Sequence, residues 1–197
     1  MNHLRQYIRQ ILLTEAMKTS ADLPDDIVVV INADSKAASI YYGVANNPSE
    51  YASLNRSTMG AIDIYSLKGH PSYGNCGDAW MVGGSGAQEG FGPMLYDIAI
   101  EWATQNGGGL VSDRGSVSRE AQRVWSYYMQ NRNDVTAHQL DDLENTLTPE
   151  DEDNCDQNIG RETVTGMYDT WQDSQLSKRY TKPPTTMSTL GKKLVIL

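Results

Sequence analysis

The alternation of apolar and polar positions predicts short strands in the first half of the chain and helices beyond them. Residues 27–32 form an unbroken, mostly β-branched run (Ile27-Val28-Val29-Val30-Ile31-Asn32), the signature of a buried strand. Residues 38–45 supply its hairpin partner, with the turn at Asp34-Ser35-Lys36, and residues 46–58 read as a loop or a weak helix. Residues 59–68 alternate as a half-buried strand does, and residues 79–82 make another short strand, closed by Gly83-Gly84-Ser85-Gly86. The period then changes to that of a helix. Residues 93–103 place Leu95, Ile98, Ala99 and Trp102 on one face, and Pro93 suits the first turn, where a missing N–H costs nothing. Residues 109–112 are a brief strand. Ser118 caps a second helix over 119–130, with Ala121, Val124, Trp125 and Tyr128 on its apolar face. Residues 192–197 predict a terminal strand.

Residues 1–15 stand apart. Leu4, Tyr7, Ile8, Ile11 and Leu12 share one helical face, with Arg5 and Arg9 on another, so this segment is an amphipathic helix. Residues 16–26 are polar and read as a linker, and residues 27–197 as one domain.

Charge narrows the partners. With 25 acidic residues against 16 basic ones and a net charge of −9, the chain is unsuited to a phosphate backbone or an anionic membrane surface. No apolar run approaches the ~20 residues of a bilayer span. Residues 140–156 are strongly acidic but lack the central glycine and terminal glutamate of an EF-hand, which predicts a solvated loop and no metal. Two distant cysteines, Cys76 and Cys155, read as reduced thiols in a reducing compartment. The alternative makes Cys76 the nucleophile of a hydrolase, with a base drawn from His3, His70 or His138.

The order strand, glycine turn, helix, short strand, helix carries the chemistry. Gln88-Glu89-Gly90-Phe91-Gly92-Pro93 leads into a helix N-terminus, whose free N–H groups and dipole suit an anion. A third glycine is missing, so a dinucleotide-binding βαβ unit is disfavoured.

Residues 88–129 resemble the acetyl-CoA core of the GNAT N-acetyltransferases. In that family a turn of the type Arg/Gln-x-x-Gly-x-Gly/Ala follows the fourth strand; here Gly90 and Gly92 match its glycines and Ala87 stands at the Arg/Gln position. The resemblance implies an α/β fold: a mixed, largely antiparallel twisted sheet flanked by helices, here with the N-terminal amphipathic helix added. It implies acetyl-CoA as co-substrate, its pyrophosphate held at Gln88 and Gly90 and by amides of Phe91, Gly92 and Met94. It implies a fifth strand, 109–112, that splays from the fourth to admit the pantetheine arm. The next helix typically carries Asn-x-x-Ala-x-x-x-Tyr, whose tyrosine protonates the leaving thiolate. Ser118, Ala121 and Trp125 occupy those places, so the acid falls to Tyr127 or Tyr128.

The chain also resembles GNAT-like internal head proteins of tailed phages, at Asn75-Cys76-Gly77-Asp78 and at Ser112-Asp113-Arg114. The N-terminus is similar to capsid-targeting peptides cut after Leu/Ile-x-Glu, which Leu13-Thr14-Glu15 before Ala16 fits. Two functions follow: an acyl-CoA-dependent N-acyltransferase acting on an amine the sequence does not name, or a non-catalytic virion protein that keeps the fold. The expected place is the host cytoplasm or the virion interior. Asp113-Arg114 is expected to be a loop-ordering ion pair, and Trp80, Trp102 and Trp125 core aromatics.

Overall fold

The computed structural model describes residues 17–44, 58–70, 72–88, 90–113, 115–157 and 171–197. The expected N-terminal helix, the 46–58 loop except its last residue, and Arg114 lie outside them. Strands β1 (Ile27–Ala33), β2 (Ala37–Val44), β3 (Thr58–Ser66) and β4 (Trp80–Ala87) form an antiparallel meander. The β1–β2 turn closes where expected, with the Asp34 carboxylate accepting the N–H groups of Lys36 (2.7 Å) and Ala37 (2.9 Å). Then follow α1 (Gly92–Asn106), β5 (Leu110–Val111), α2 (Arg119–Asn131), β6 (Thr136–Gln139), β7 (Asp141–Asp142), β8 (Asn154–Cys155), β9 (Lys178–Thr181), α3 (Thr185–Leu190) and β10 (Leu194–Ile196).

The main sheet runs β10-β1-β2-β3-β4-β5-β9-β6, parallel only at β10/β1 and β4/β5. It is therefore a mixed, mostly antiparallel sheet with helices, the coarse architecture that the resemblance implied. Helix α1 lies on one face, and its Ile98, Ala99, Ile100 and Ala103 pack with Ile31, Ile40, Ile62 and Ile64 of the strands, all fully buried. A second cluster (Leu67, Cys76, Ala79, Val111, Leu140 and Cys155) is separate from this core.

Three expectations change here. Strand β4 does not close at Gly83 but continues through the glycines to Ala87, because β3 offers pairing partners from Gly60 to Asp63. The register slips there: Ile64 faces Val82 and Asp63 faces Gly84, so Gly83 is the extra residue of a β-bulge. A Cβ at Gly83 would lie 2.2 Å from the Tyr65 ring, so a larger residue there requires that exposed ring to move.

The segment read as a linker is docked from Met17 onward. Thr19 and Asp22 form a capping box on a short 3-10 turn, Leu23 is buried in the core, and the Lys18 N–H donates to the Gly90 carbonyl at 2.9 Å.

The cysteines are not free thiols: Cys76 and Cys155 are joined in a disulfide across 79 residues. That bond and the β7–β8 pair bury the ends of the acidic segment at Asp141, Asp142 and Cys155, while residues 143–152 between them are exposed, as expected of a solvated loop. The Asp141 carboxylate is satisfied locally, accepting from the N–H groups of Leu147 (2.6 Å) and Thr148 (2.7 Å).

A charged clasp ties α1 to the chain end. Glu101, fully buried, accepts from Lys182 and from the N–H groups of Thr186 and Met187, both at 2.7 Å, thereby capping α3. Arg132 bridges Asp97 (3.0 Å) and Asp134 (2.7 Å) beside it. Hydrogen bonding from Arg132 holds the Asp134 carboxyl down at about 2, against an ordinary value of 3.8. A depressed carboxylate stabilises the fold above its ordinary value and loses that contribution as pH falls through its folded value. The thermal midpoint is thus expected to drop between pH 4 and pH 2, with a shallower drop in Asp134→Asn, as read by calorimetric scans at each pH.

Candidate functional site

Strands β4 and β5 part almost as soon as they meet. They pair only at Trp80↔Leu110 and Met81↔Val111, and the Gly83 bulge then turns β4 away. Beyond the bulge, β4 is exposed through Ala87, bonded to β3 on one edge only.

Beside this exposed stretch of β4, away from β5, lies a cleft of about 290 Å³. Its walls are residues 85–88, the turn and helix start at Gly90 and Gly92, and the first turn of α2 at Ser118 and Glu120. Two helix N-termini therefore meet at one cavity. Ser118 caps α2 as expected, accepting from the Ala121 N–H at 3.2 Å. Among the described residues lining the cleft none is Lys or Arg and one, Glu120, is acidic, so the helix ends are what favours an anion there.

The sequence-predicted anion contacts separate into two sets. Gln88, Gly90 and Gly92 line the cleft. The Phe91 N–H is spent on the Gln88 carbonyl (3.2 Å), and the Gln88 N–H on the Met59 carbonyl (2.9 Å), so neither amide is left for a ligand. The Phe91 ring leans on Tyr42, with centroids 5.4 Å apart, and lines a separate cavity of about 610 Å³ beyond residues 87–88. Lys18 lies over the same ring at 4.8 Å. Met94 buries its side chain in the core. The first-turn amide of Gly92 remains, in the position where a helix leaves its N–H groups without acceptors, whereas Met94 as a whole is buried and does not line the cleft. A Cβ at Gly92 would meet nothing within 4 Å, so the backbone there is open to approach.

The two tyrosines expected to supply a proton are elsewhere. Tyr128 is buried under α2, its hydroxyl held between the Pro93 carbonyl (3.0 Å) and Asp97 (2.9 Å). Burial, reinforced by the Asp97 charge, pushes its acidity well out of reach of ordinary pH. Tyr127 packs edge-on against Tyr128 at 6.0 Å and does not line the cleft. The tyrosine that does is Tyr96, whose hydroxyl is 3.1 Å from Ser85 Oγ on β4. Sequence reasoning passed over Tyr96 because its partner became visible only once β4 ran on through the glycines. Trp125 fills the helical position of the family tyrosine as core, stacked on Tyr180 at 4.9 Å and edge-on to Tyr96 at 5.3 Å.

The hydrolase alternative has no nucleophile, because Cys76 is fully buried and its sulfur is bonded to Cys155. His70 stacks on Tyr73 at 4.5 Å, and His138 bonds Thr181 at 2.8 Å; His3 lies outside the described residues. Asp113 turns its carboxylate to the Gly115 N–H at 2.6 Å. Trp80 and Trp125 are buried and Trp102 packs partly buried on the core, as expected. Among the described residues no His, Cys, Asp and Glu cluster could hold a metal, and no helix is long and apolar enough to cross a membrane.

No family profile, curated protein or solved structure matches this chain. Function therefore rests on geometry.

Proposed function

We propose that this chain is a GNAT-like domain that binds an acyl-CoA in the cleft between the exposed end of β4 and the starts of α1 and α2 and transfers the acyl group to an amine. The observation that carries the reading is the parting of two parallel strands beside a glycine turn and two convergent helix N-termini. In that reading the open amide of Gly92 receives the pyrophosphate, with Gln88 and Gly90 shaping its seat. The exposed edge of β4 beyond Gly83 offers backbone groups to the amides of the pantetheine arm.

A specific observation favours the second reading, a virion protein that keeps the fold without turnover. Tyr128 is locked in the core and Trp125 stands in the tyrosine position, so α2 delivers no tyrosine to the cleft. Loss of a general acid typically costs ~10²–10⁴-fold in rate. The phage reading itself rests on the N-terminal Leu13-Thr14-Glu15 site and on the resemblance to internal head proteins.

Calorimetry tests the binding step. Acetyl-CoA is expected to bind with a micromolar dissociation constant, about −8 kcal/mol. Gly92→Val, which adds bulk into open space, is expected to weaken it at least tenfold with the thermal midpoint unchanged. No heat with millimolar acetyl-CoA sinks the acyl-CoA reading. Thiol release from bound acetyl-CoA with an amine panel then separates enzyme from binder.

The targeting reading has its own readout. Mass spectrometry of particles is expected to find the chain starting at Ala16. Deleting residues 1–15 is expected to shift the thermal midpoint by no more than a few degrees, since the docked segment from Met17 stays in place. An intact Met1 in mature particles, or a large loss of stability, removes the targeting idea.

A further inference from the structure

Two hydrogen-bond donors border the second cavity, the one of about 610 Å³ beyond residues 87–88, and neither has an acceptor. Leu23, Ile27 and Phe91 are its buried apolar walls, and Met59 adds a partly buried thioether. Tyr42, fully buried, belongs to the same wall, and its hydroxyl has no hydrogen-bond partner. The Gln88 N–H lies beside that oxygen but is bonded to the Met59 carbonyl at 2.9 Å, so the phenol proton goes unused. A buried polar group left unpaired costs about 1–3 kcal/mol, and native structures keep few of them.

The other donor is Lys18. Its backbone is fixed, because its N–H is given to Gly90 and the capping box of Thr19 and Asp22 follows directly. Its ammonium stands over the Phe91 ring, 4.8 Å from the centroid, and makes no ion pair among the described residues. Asp22, the acidic residue of the wall, turns its carboxylate to the N–H and hydroxyl of Thr19, at 2.7 and 2.8 Å. The Tyr42 ring leans on the same Phe91 ring, so ammonium and phenol border one aromatic wall.

We propose that this cavity binds a small carboxylic acid with a flat apolar body. The carboxylate accepts from Lys18 and from the Tyr42 hydroxyl, and the body lies against Phe91, Met59 and Ile27. Such a ligand gives both donors an acceptor while it buries apolar surface; an apolar chain segment in the same place would leave both unpaired. The site is separate from the cleft beside β4 and stands whether or not acyl-CoA binds there.

Calorimetric titration of the full chain with 3-phenylpropionate, compared with the uncharged 3-phenylpropanamide, tests it. The acid is expected to bind with a dissociation constant of about 0.1–1 mM, as befits a ligand of few atoms. The amide is expected to bind about fivefold more weakly or worse, since it lacks the charge. Lys18→Met and Tyr42→Phe are each expected to weaken the acid by about fivefold or more. In Tyr42→Phe the thermal midpoint is expected to hold or rise, because the hydroxyl had no partner to lose. If that variant does not fold, the exposed Lys18→Met carries the test. Equal binding of acid and amide overturns the proposal, and so does binding that both variants leave unchanged. Binding that appears only after Ile8→Asp with Ile11→Asp, which breaks the apolar face of residues 1–15, overturns it as well, since the occupant is then the chain's own segment. No heat from the acid in any of these chains overturns it outright.

Discussion

Opening the Cys76–Cys155 bridge is expected to destabilise this protein more than any single surface substitution. A cross-link spanning 79 residues removes loop entropy from the unfolded chain worth about 4.5 kcal/mol in the chain-entropy account. For a chain of this size that corresponds to a fall in the thermal midpoint of about 10–15 °C. Both half-cystines are fully buried, in a cluster with Leu67, Ala79, Val111 and Leu140, so local packing adds to the loss. Scans with and without dithiothreitol, and of Cys76→Ala with Cys155→Ala, measure it. A thiol assay on the unreduced, denatured protein should count no free cysteine. Two free thiols, or an unchanged midpoint on reduction, would show that the bond is absent in solution.

The second large effect lies in the clasp. Lys182→Met is expected to cost 3–5 kcal/mol, the range for breaking a buried ion pair, because Glu101 keeps its charge at zero exposure. Its carboxylate would retain the Thr186 and Met187 N–H groups and lose its cation. Replacing both partners, Glu101→Leu with Lys182→Met, removes the orphaned charge and is expected to recover part of the loss, less what the α3 cap contributed. Urea unfolding of the two single variants and the double variant gives the coupling directly. A Lys182→Met variant as stable as wild type would mean the carboxylate is neutral or hydrated there.

The sequence made the frame legible and left its fastenings obscure. The first hairpin, α1, the two-residue β5, the Ser118 cap and the C-terminal strand were readable because each is set by local pattern: β-branched runs, a 3.6 period, an N-cap residue. Features joined across long stretches were not. Nothing near Cys76 names Cys155, and Glu101 and Lys182 lie on either side of most of the second half of the chain. Glycines misled once: Gly83-Gly84-Ser85-Gly86 looks like a turn, yet serves as strand because β3 pairs with it and Tyr65 needs the room at Gly83. Gln88, Gly90 and Gly92, singled out for their turn chemistry, line the cleft. Tyr128 was misjudged although its own pattern held the answer, since a residue on the apolar face with Ala121, Val124 and Trp125 is core before it is an acid.

The pairing of β1 with β10 also bears on mechanical behaviour. These strands come from near the two ends of the chain, are adjacent, and run parallel, with Val29↔Leu194, Val30↔Val195 and Ile31↔Ile196 in register. The entry to β1 and the exit of β10 therefore sit at opposite ends of the pair. A force applied between the two termini loads their inter-strand hydrogen bonds lengthwise and together, instead of peeling them one by one. The domain should accordingly resist being pulled by both ends better than being unravelled from the C-terminus alone, where β10 is only three residues long.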